Sequence, residues 1–284
     1  MSVVRFDRRG ARFGVPREER TDNAVAPTAT PENLSQDVEA LYEWTRSDQG
    51  PGAQCVVFFG HSEGMVHIAG LAERGATPPD LVIGMGGLME SKASVVRWQS
   101  VDRDAESLLM MDGDGDGMVT DEEIRANFSN TPAGVLEDPA PLLNPAGRWT
   151  SGDIAGLRAE QAAAFARETE DLANHADDAP YPDAEGPIAS WRWWKSWFTD
   201  DTPIAVRFSR WSSPLILHYG SRDSQVREDR QRAAVQGILP AGQARFVSHP
   251  GRGHTLGSDV LLGPMDPAIA DQIAGEAAAA CPSD

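Results

Sequence analysis

A serine, an acid and a histidine stand in this chain at positions that suit nucleophilic catalysis. The run Gly60-His61-Ser62-Glu63-Gly64 has the spacing G-x-S-x-G, follows the apolar stretch Cys55 to Phe59 and leads into a helix-compatible segment. Glycines at that spacing let the backbone turn sharply from strand to helix. The serine hydroxyl then projects at the carboxyl edge of a sheet, and the Glu63 N–H points at a developing oxyanion. A serine needs a base, and the base needs an orienting carboxylate. Asp223 stands in the turn after the strand-like run Pro214 to Tyr219, and His254 in the glycine-rich loop after Arg245 to Pro250. The order Ser62, Asp223, His254 is the one expected when nucleophile, acid and base follow successive strands of one sheet. His249 is a rival base that lies nearer the body of its strand, and Asp229 a rival acid expected on the following helix. His61 and Glu63 are expected to shape the turn rather than to transfer protons.

A second constellation suits a metal. Residues 112–123 (DGDGDGMVTDEE) match the EF-hand-type loop D-x-D-x-D-G-x₅-E at every ligand position. Calcium is a hard cation that takes several oxygens: Asp112, Asp114 and Asp116 turn carboxylates inward, Gly117 permits the turn, Met118 offers its carbonyl, Thr120 acts through water and Glu123 chelates with both oxygens. Magnesium is the competing ion, but this many oxygens suit the larger and more flexible coordination of Ca²⁺. Val119 is expected to pair or pack behind the loop, with Trp98 to Met111 as the entering helix (Val101, Ala105, Leu108 and Leu109 on one face) and Asp121 to Phe128 as the exiting one. No second loop of this kind and no internal repeat is evident, so an unpaired structural clamp is expected.

These residues need a scaffold, and the apolar runs supply one. Val3 to Phe6, Cys55 to Phe59, Leu81 to Met85, Leu215 to Tyr219 and Arg245 to Val247 read as buried strands. The helical spacings Leu34 to Thr45 and Met65 to Arg74 fall between the first three. Strand, helix, strand in alternation implies an α/β fold with a mostly parallel sheet and flanking crossover helices. From about Ser94 the strand signal gives way to helical and proline-rich segments, so the expected organisation is a core in two parts, 1–93 and 202–284, with a helical cap at 94–201 inserted between them. Arg17 to Pro31 reads as a loop. Ala268 to Ala280 reads as a closing helix with Ile269 and Ile273 on one face. In the cap, Ser190 to Phe198 places Trp191, Trp194 and Phe198 on one helical face and Trp193 and Trp197 on another; packing against the core is favoured over an apolar substrate wall.

Taken together, the pieces resemble the α/β-hydrolases of the esterase, dienelactone-hydrolase and prolyl-peptidase-like group. The resemblance is carried by Val4 to Gly10 (VRFDRRG), Gly60 to Gly64, Gly220 to Asp223 and Gly251 to His254. It implies a hydrolase sheet shortened at its N-terminus, because several strands of that family precede the one similar to Val3 to Phe6. One of those strands leads to the loop that supplies the second oxyanion donor, whose loss costs on the order of 10²–10³ in rate. Three arrangements are open: a truncated chain, a second copy covering the exposed sheet edge as a homodimer, or Val3 to Phe6 moved beside Cys55 to Phe59.

Composition narrows the partners. The formal charge of −18 opposes nucleic acid and anionic membrane surfaces. No run approaches the roughly 18 apolar residues of a membrane span, and residues 1–10 lack the apolar region of a signal peptide. A soluble protein follows, and the calcium loop leans towards an extracytoplasmic setting. The two cysteines, Cys55 and Cys281, make neither a disulfide framework nor a metal cluster. The leading reading is a serine hydrolase that cleaves carboxylic esters of small molecules through an acyl-enzyme, with peptide or lactone substrates open to the same machinery. The alternative is a calcium-binding interaction protein on a catalytically impaired hydrolase scaffold.

Overall fold

Thr30 starts the first long helix: its side chain accepts a hydrogen bond from the Asn33 N–H, and Pro31 fits the first helical position, where no donor is needed. The computed structural model describes residues 2–12, 14–16 and 19–281. Along the chain it contains α1 (Pro31–Arg46), β1 (Val57–His61), α2 (Gly64–Glu73), β2 (Leu81–Met85), α3 (Lys92–Arg97) and α4 (Arg103–Met111), the last two joined by a π-helical turn at Trp98–Asp102. Next come β3 (Met118–Thr120), α5 (Asp121–Asn127), β4 (Arg148–Thr150), α6 (Ser151–Asp171), β5 (Pro180–Tyr181), β6 (Ala189–Ser190), α7 (Trp191–Thr199) and α8 (Ile204–Phe208). The chain closes with β7 (Leu215–Gly220), α9 (Glu228–Val235), β8 (Ala244–His249) and α10 (Pro267–Ala280).

The main sheet has the order β1-β2-β7-β8, and every pairing in it is parallel. Successive side chains of a strand point to opposite faces, and both faces are covered. Val82, Leu217 and Tyr219 pack with Met65, Ile68 and Leu71 of α2 and with Ile204 and Phe208 of α8. Leu81, Ile83 and Met85 meet Ile269 and Ile273 of α10, the two residues expected on its inner face. The parallel α/β architecture with flanking helices is as the alternation of runs predicts. Between β2 and β7 lie helices and two small antiparallel ladders, β3 with β4 and β5 with β6. These ladders escape a search for apolar runs because they span only two or three residues.

Three expectations need correction. Val3 to Phe6 is not a strand and does not pair beside β1: Val3 is 81% exposed and Phe6 47% exposed. A short apolar run gains nothing from extended backbone without a ladder partner, and this one sits outside the sheet. Cys55 and Cys281 form a disulfide across 226 residues, with Cα atoms 5.7 Å apart, which ties the end of α10 to the start of β1. Leu109 points outward, 53% exposed, because the entering helix turns Ala105, Leu108 and Met111 towards the core beneath the aspartate loop. Of the loop expected from Arg17 to Pro31, Arg17 and Glu18 lie outside the described residues; 19–30 is irregular apart from a lone bridge of Thr21 to Ala11 and a short 3₁₀ turn at Ala26–Thr28.

Among the described residues no strand covers the side of β1 away from β2. Exposed ladder groups of this kind are a template for another strand. If a second copy pairs there, the β1 amides not bonded to β2 are expected to exchange slowly at high protein concentration and quickly at low. Hydrogen exchange at two concentrations checks this, and protection that is equally absent at both rules the second copy out.

Candidate active site

The G-x-S-x-G run sits where β1 ends and α2 begins, and Ser62 itself takes the strained backbone, with a φ of 51°. Its N–H donates to the Met85 carbonyl at 3.0 Å, and its own carbonyl accepts from the Met65 N–H at 3.1 Å. A non-glycine residue in the left-handed region is uncommon and is held there only by its surroundings. The two glycines therefore play unequal parts. A Cβ on Gly60 would come within 2.9 Å of the Met65 sulfur, so its role is close packing under α2, whereas a Cβ on Gly64 would meet nothing. No described hydrogen bond takes the Glu63 N–H, which leaves it available as a donor.

β7 and β8 carry the partners. Asp223 follows β7 in a tight turn and accepts from the backbone N–H groups of Gln225 at 2.7 Å and Val226 at 2.9 Å. Its two carboxylate oxygens lie 3.0 and 2.9 Å from His254 Nδ1. Both side chains are buried, so this bond fixes which ring nitrogen of His254 is left for chemistry. Gly86, just after β2, lies against the same ring: a Cβ there would come within 2.7 Å of Nδ1, and its φ of +53° favours glycine. Among the described residues no hydrogen bond joins Ser62 to His254, although the His61 ring beside Ser62 lies 4.7 Å from the His254 ring. The rivals lie elsewhere. His249 at the end of β8 is 3.0 Å from His218, which is 2.9 Å from Glu276, and Asp229 lies in the first turn of α9 paired with Arg227.

Ser62 opens onto a cavity of about 280 Å³ whose walls include Leu88, Val95, Val226 and the aromatic side of α7. Trp193, Trp194, Trp197 and Phe198 line it while also packing on one another, so the same rings serve both packing and the cavity wall. Trp191 faces away and stacks on His175 at 3.5 Å. The Glu63 carboxylate turns back to accept from Trp193 Nε1 at 2.5 Å and lies 3.4 Å from His67 Nε2. Burial pushes this carboxyl up, but the His67 contact and the charge of Arg8 outweigh it and hold it below the usual range.

The aspartate loop is brought together in part. Asp112, Asp114 and Asp116 place one oxygen each within 4.8 Å of one another. Asp112 caps the N–H groups of Gly115 and Gly117, and Gly117 takes a φ of +84°. Glu123 is turned to the Gly113 N–H at 2.9 Å and the Thr120 N–H at 2.8 Å, so it closes the loop rather than joining the aspartates. Val119 is buried and pairs with Trp149, and Met118 pairs with Thr150. The expectation of an unpaired loop is thereby overturned. Residues 147–153 (GRWTSGD) repeat the geometry of 117–123 (GMVTDEE): Gly147 has a φ of +75°, and Thr150 with Asp153 forms the same capping box as Thr120 with Glu123. The repeat is obscured in the sequence because Leu142 and Ala146 stand where the first loop has Asp112 and Asp116. The legible signal was the shared pattern of glycine, a β-former, threonine and a capping acid.

No protein-family model matches the chain, and no curated protein matches it. Among solved structures it is similar to a hydrolase from Pseudomonas aeruginosa, at 15% identity over 98% of this chain and 79% of that one, with a TM-score of 0.46. It is also similar to a soluble variant of monoglyceride lipase from Saccharomyces cerevisiae, at 12% identity over 98% of this chain and 77% of that one, TM-score 0.45. Proline iminopeptidase from Mycobacterium smegmatis is similar at 14% identity over 90% of this chain and 76% of that one, TM-score 0.45.

His61 offers a test of how tightly this corner is packed. Burial first, and then the neighbouring His254, push its pKa down from the ordinary 6.5 to about 4. As pH falls, the unfolded chain takes up this proton near 6.5 while the folded protein resists until about 4, so the folded state loses stability across that window. His61→Gln is expected to flatten the fall in melting temperature between about pH 6.5 and about pH 4. A slope identical to that of the unsubstituted protein would overturn this assignment.

Proposed function

We propose that this protein is a serine hydrolase of the α/β-hydrolase type that cleaves carboxylic esters through an acyl-enzyme. The observation that carries the reading is the convergence of a strained Ser62 with a buried Asp223–His254 pair, at the carboxyl ends of β1, β7 and β8. Ser62 Oγ attacks the ester carbonyl carbon and His254 Nε2 takes its proton. The tetrahedral oxyanion is held by the Glu63 N–H. The alcohol then leaves with the proton from His254, and a water activated by the same imidazole releases the acid. Asp223 holds the ring orientation and stabilises the imidazolium. The Ser62–His254 hydrogen bond belongs to the substrate complex, since such bonds are often long without substrate.

Short p-nitrophenyl esters are expected to be hydrolysed, and a fluorophosphonate probe is expected to label Ser62. Ser62→Ala should abolish both, and Asp223→Asn should cut kcat by about 10⁴-fold. Turnover that persists in Ser62→Ala refutes the assignment. A well-folded protein that neither turns over nor takes the probe favours instead an interaction protein on this scaffold.

The residues of the aspartate loop fit a hard divalent cation, with three convergent carboxylates, and we propose Ca²⁺ as a structural ion there. Asp112, Asp114, Asp116 and Met118 would hold it, with Thr120 through water, and Glu123 would complete the site by exchanging its backbone bonds for the metal. The ion screens carboxylates that otherwise repel one another. A ligand bound by the native state alone stabilises it, by about 2.7 kcal/mol at a hundredfold excess over Kd. EGTA, Asp112→Ala and Glu123→Gln are each expected to lower the melting temperature measured in calcium. A melting temperature indifferent to all three overturns the proposal.

A further inference from the structure

The cavity in front of Ser62 has a charge pattern that ester hydrolysis alone does not require. Among the described residues two charged side chains line it, Glu63 and Glu168, both acidic, and no Lys, Arg or His belongs to its walls. Of the nearest cations Lys92 is paired, whereas Arg8 keeps its Nε and Nη2 buried without a hydrogen-bond partner. Arg8 lies over the Trp193 ring at 5.0 Å and its charge acts on Glu63, which also has His67 beside it. Lys92 lies 5.9 Å from the Trp197 ring but is paired with Asp200 at 3.2 Å. Glu168, on α6 at the exposed rim, has no hydrogen bond or ion pair to its carboxylate among the described residues. Its charge reaches Tyr181, whose hydroxyl is raised by burial and then by Glu168, and whose ring stacks on Trp194 at 4.8 Å.

Aromatic faces carry negative electrostatic potential and attract cations, most strongly those of tryptophan. The guanidinium over Trp193 shows the cage attracting one from outside. Inside, three tryptophans and Phe198 surround a space at the small end for ligand cavities. An anionic group would meet the Glu168 carboxylate and a chain of net charge −18. A neutral apolar group would leave the carboxylate of Glu168 unused at the mouth.

We propose that the group filling this cavity is cationic, a small quaternary ammonium or protonated amine, held by the tryptophans of α7 and by Glu168. The proposal rests on Ser62 as the reacting residue only in taking this cavity as the substrate's. The reaction is then the hydrolysis of an ester whose alcohol or acyl part carries that charge.

The test pairs a cation with its uncharged isostere. Tryptophan fluorescence of Ser62→Ala protein is titrated with 2-(trimethylammonio)ethanol and with 3,3-dimethylbutan-1-ol, which differ by N⁺ against C. The expected result is about 10-fold tighter binding of the cation at low salt. Glu168→Gln and Trp194→Leu should each shrink that ratio, and added salt should shrink it in the Ser62→Ala protein. Equal Kd values for the two alcohols overturn the proposal, as does a ratio that survives in both variants. The acetate esters of the same alcohols, given to the unsubstituted enzyme, keep the two readings apart. Hydrolysis of both without binding preference leaves the esterase standing and removes the cation site, whereas preference without hydrolysis does the reverse.

Discussion

The backbone of Ser62 is the constraint on which the site depends. A serine at a φ of 51° costs on the order of 1–3 kcal/mol, which the surrounding structure must offset. Two hydrogen bonds hold it, one to Met85 at the end of β2 and one from Met65 at the start of α2. The pairing register of β1 with β2, from Val57 opposite Leu81 to His61 opposite Met85, decides that the Met85 carbonyl is there to accept. Slip that register by one residue and every side chain changes face. The buried contact of Gly60 with Met65 and Ile68 fixes the height of α2 over the strand, and with it the direction of the Ser62 hydroxyl.

The same strand ends gather the other two residues. β7 continues the sheet beside β2, so the turn after it brings Asp223 within reach of the loop after β8. Asp223 enters a buried place without a cation, and two backbone N–H groups together with His254 satisfy its oxygens. A buried carboxylate with fewer donors would be strongly disfavoured. Charge is handled differently one residue beyond the nucleophile. There Glu63 keeps its carboxylate in the wall of the cavity by pairing with Trp193 and His67.

What was legible in the sequence follows from how local each signal is. The main strands, their helices and the order Ser62, Asp223, His254 depend on apolar runs and turns a few residues long, and all were readable. The aspartate loop was readable for the same reason. What depends on contacts across the chain was not: the disulfide between Cys55 and Cys281 is set by where α10 docks, and the pairing of β3 with β4 by how the middle segment folds back. Val3 to Phe6 failed for a related reason, since apolar composition favours a strand only if a partner edge is within reach. The aromatic run of α7 showed its period in sequence, but which rings face Ser62 depends on the packing of α7 against α3.

The middle segment does more than roof the cavity, because it grips the turn that carries Asp223. Gln99 donates to the Gln225 carbonyl at 2.9 Å, Arg103 reaches the Ser224 carbonyl, and Arg222 donates to the Ser129 carbonyl just beyond α5. Arg227 meets Glu106 of α4 at 3.4 Å. These contacts run from the π-helical turn and α4 on one side of the aspartate loop, and from the end of α5 on the other, to the residues on both sides of the acid. Each bond is modest alone, but they act on the single segment 222–227, whose Asp223 bonds His254. The arrangement of α4 against α5, and hence the conformation of the loop between them, is therefore mechanically continuous with the orientation of the candidate base.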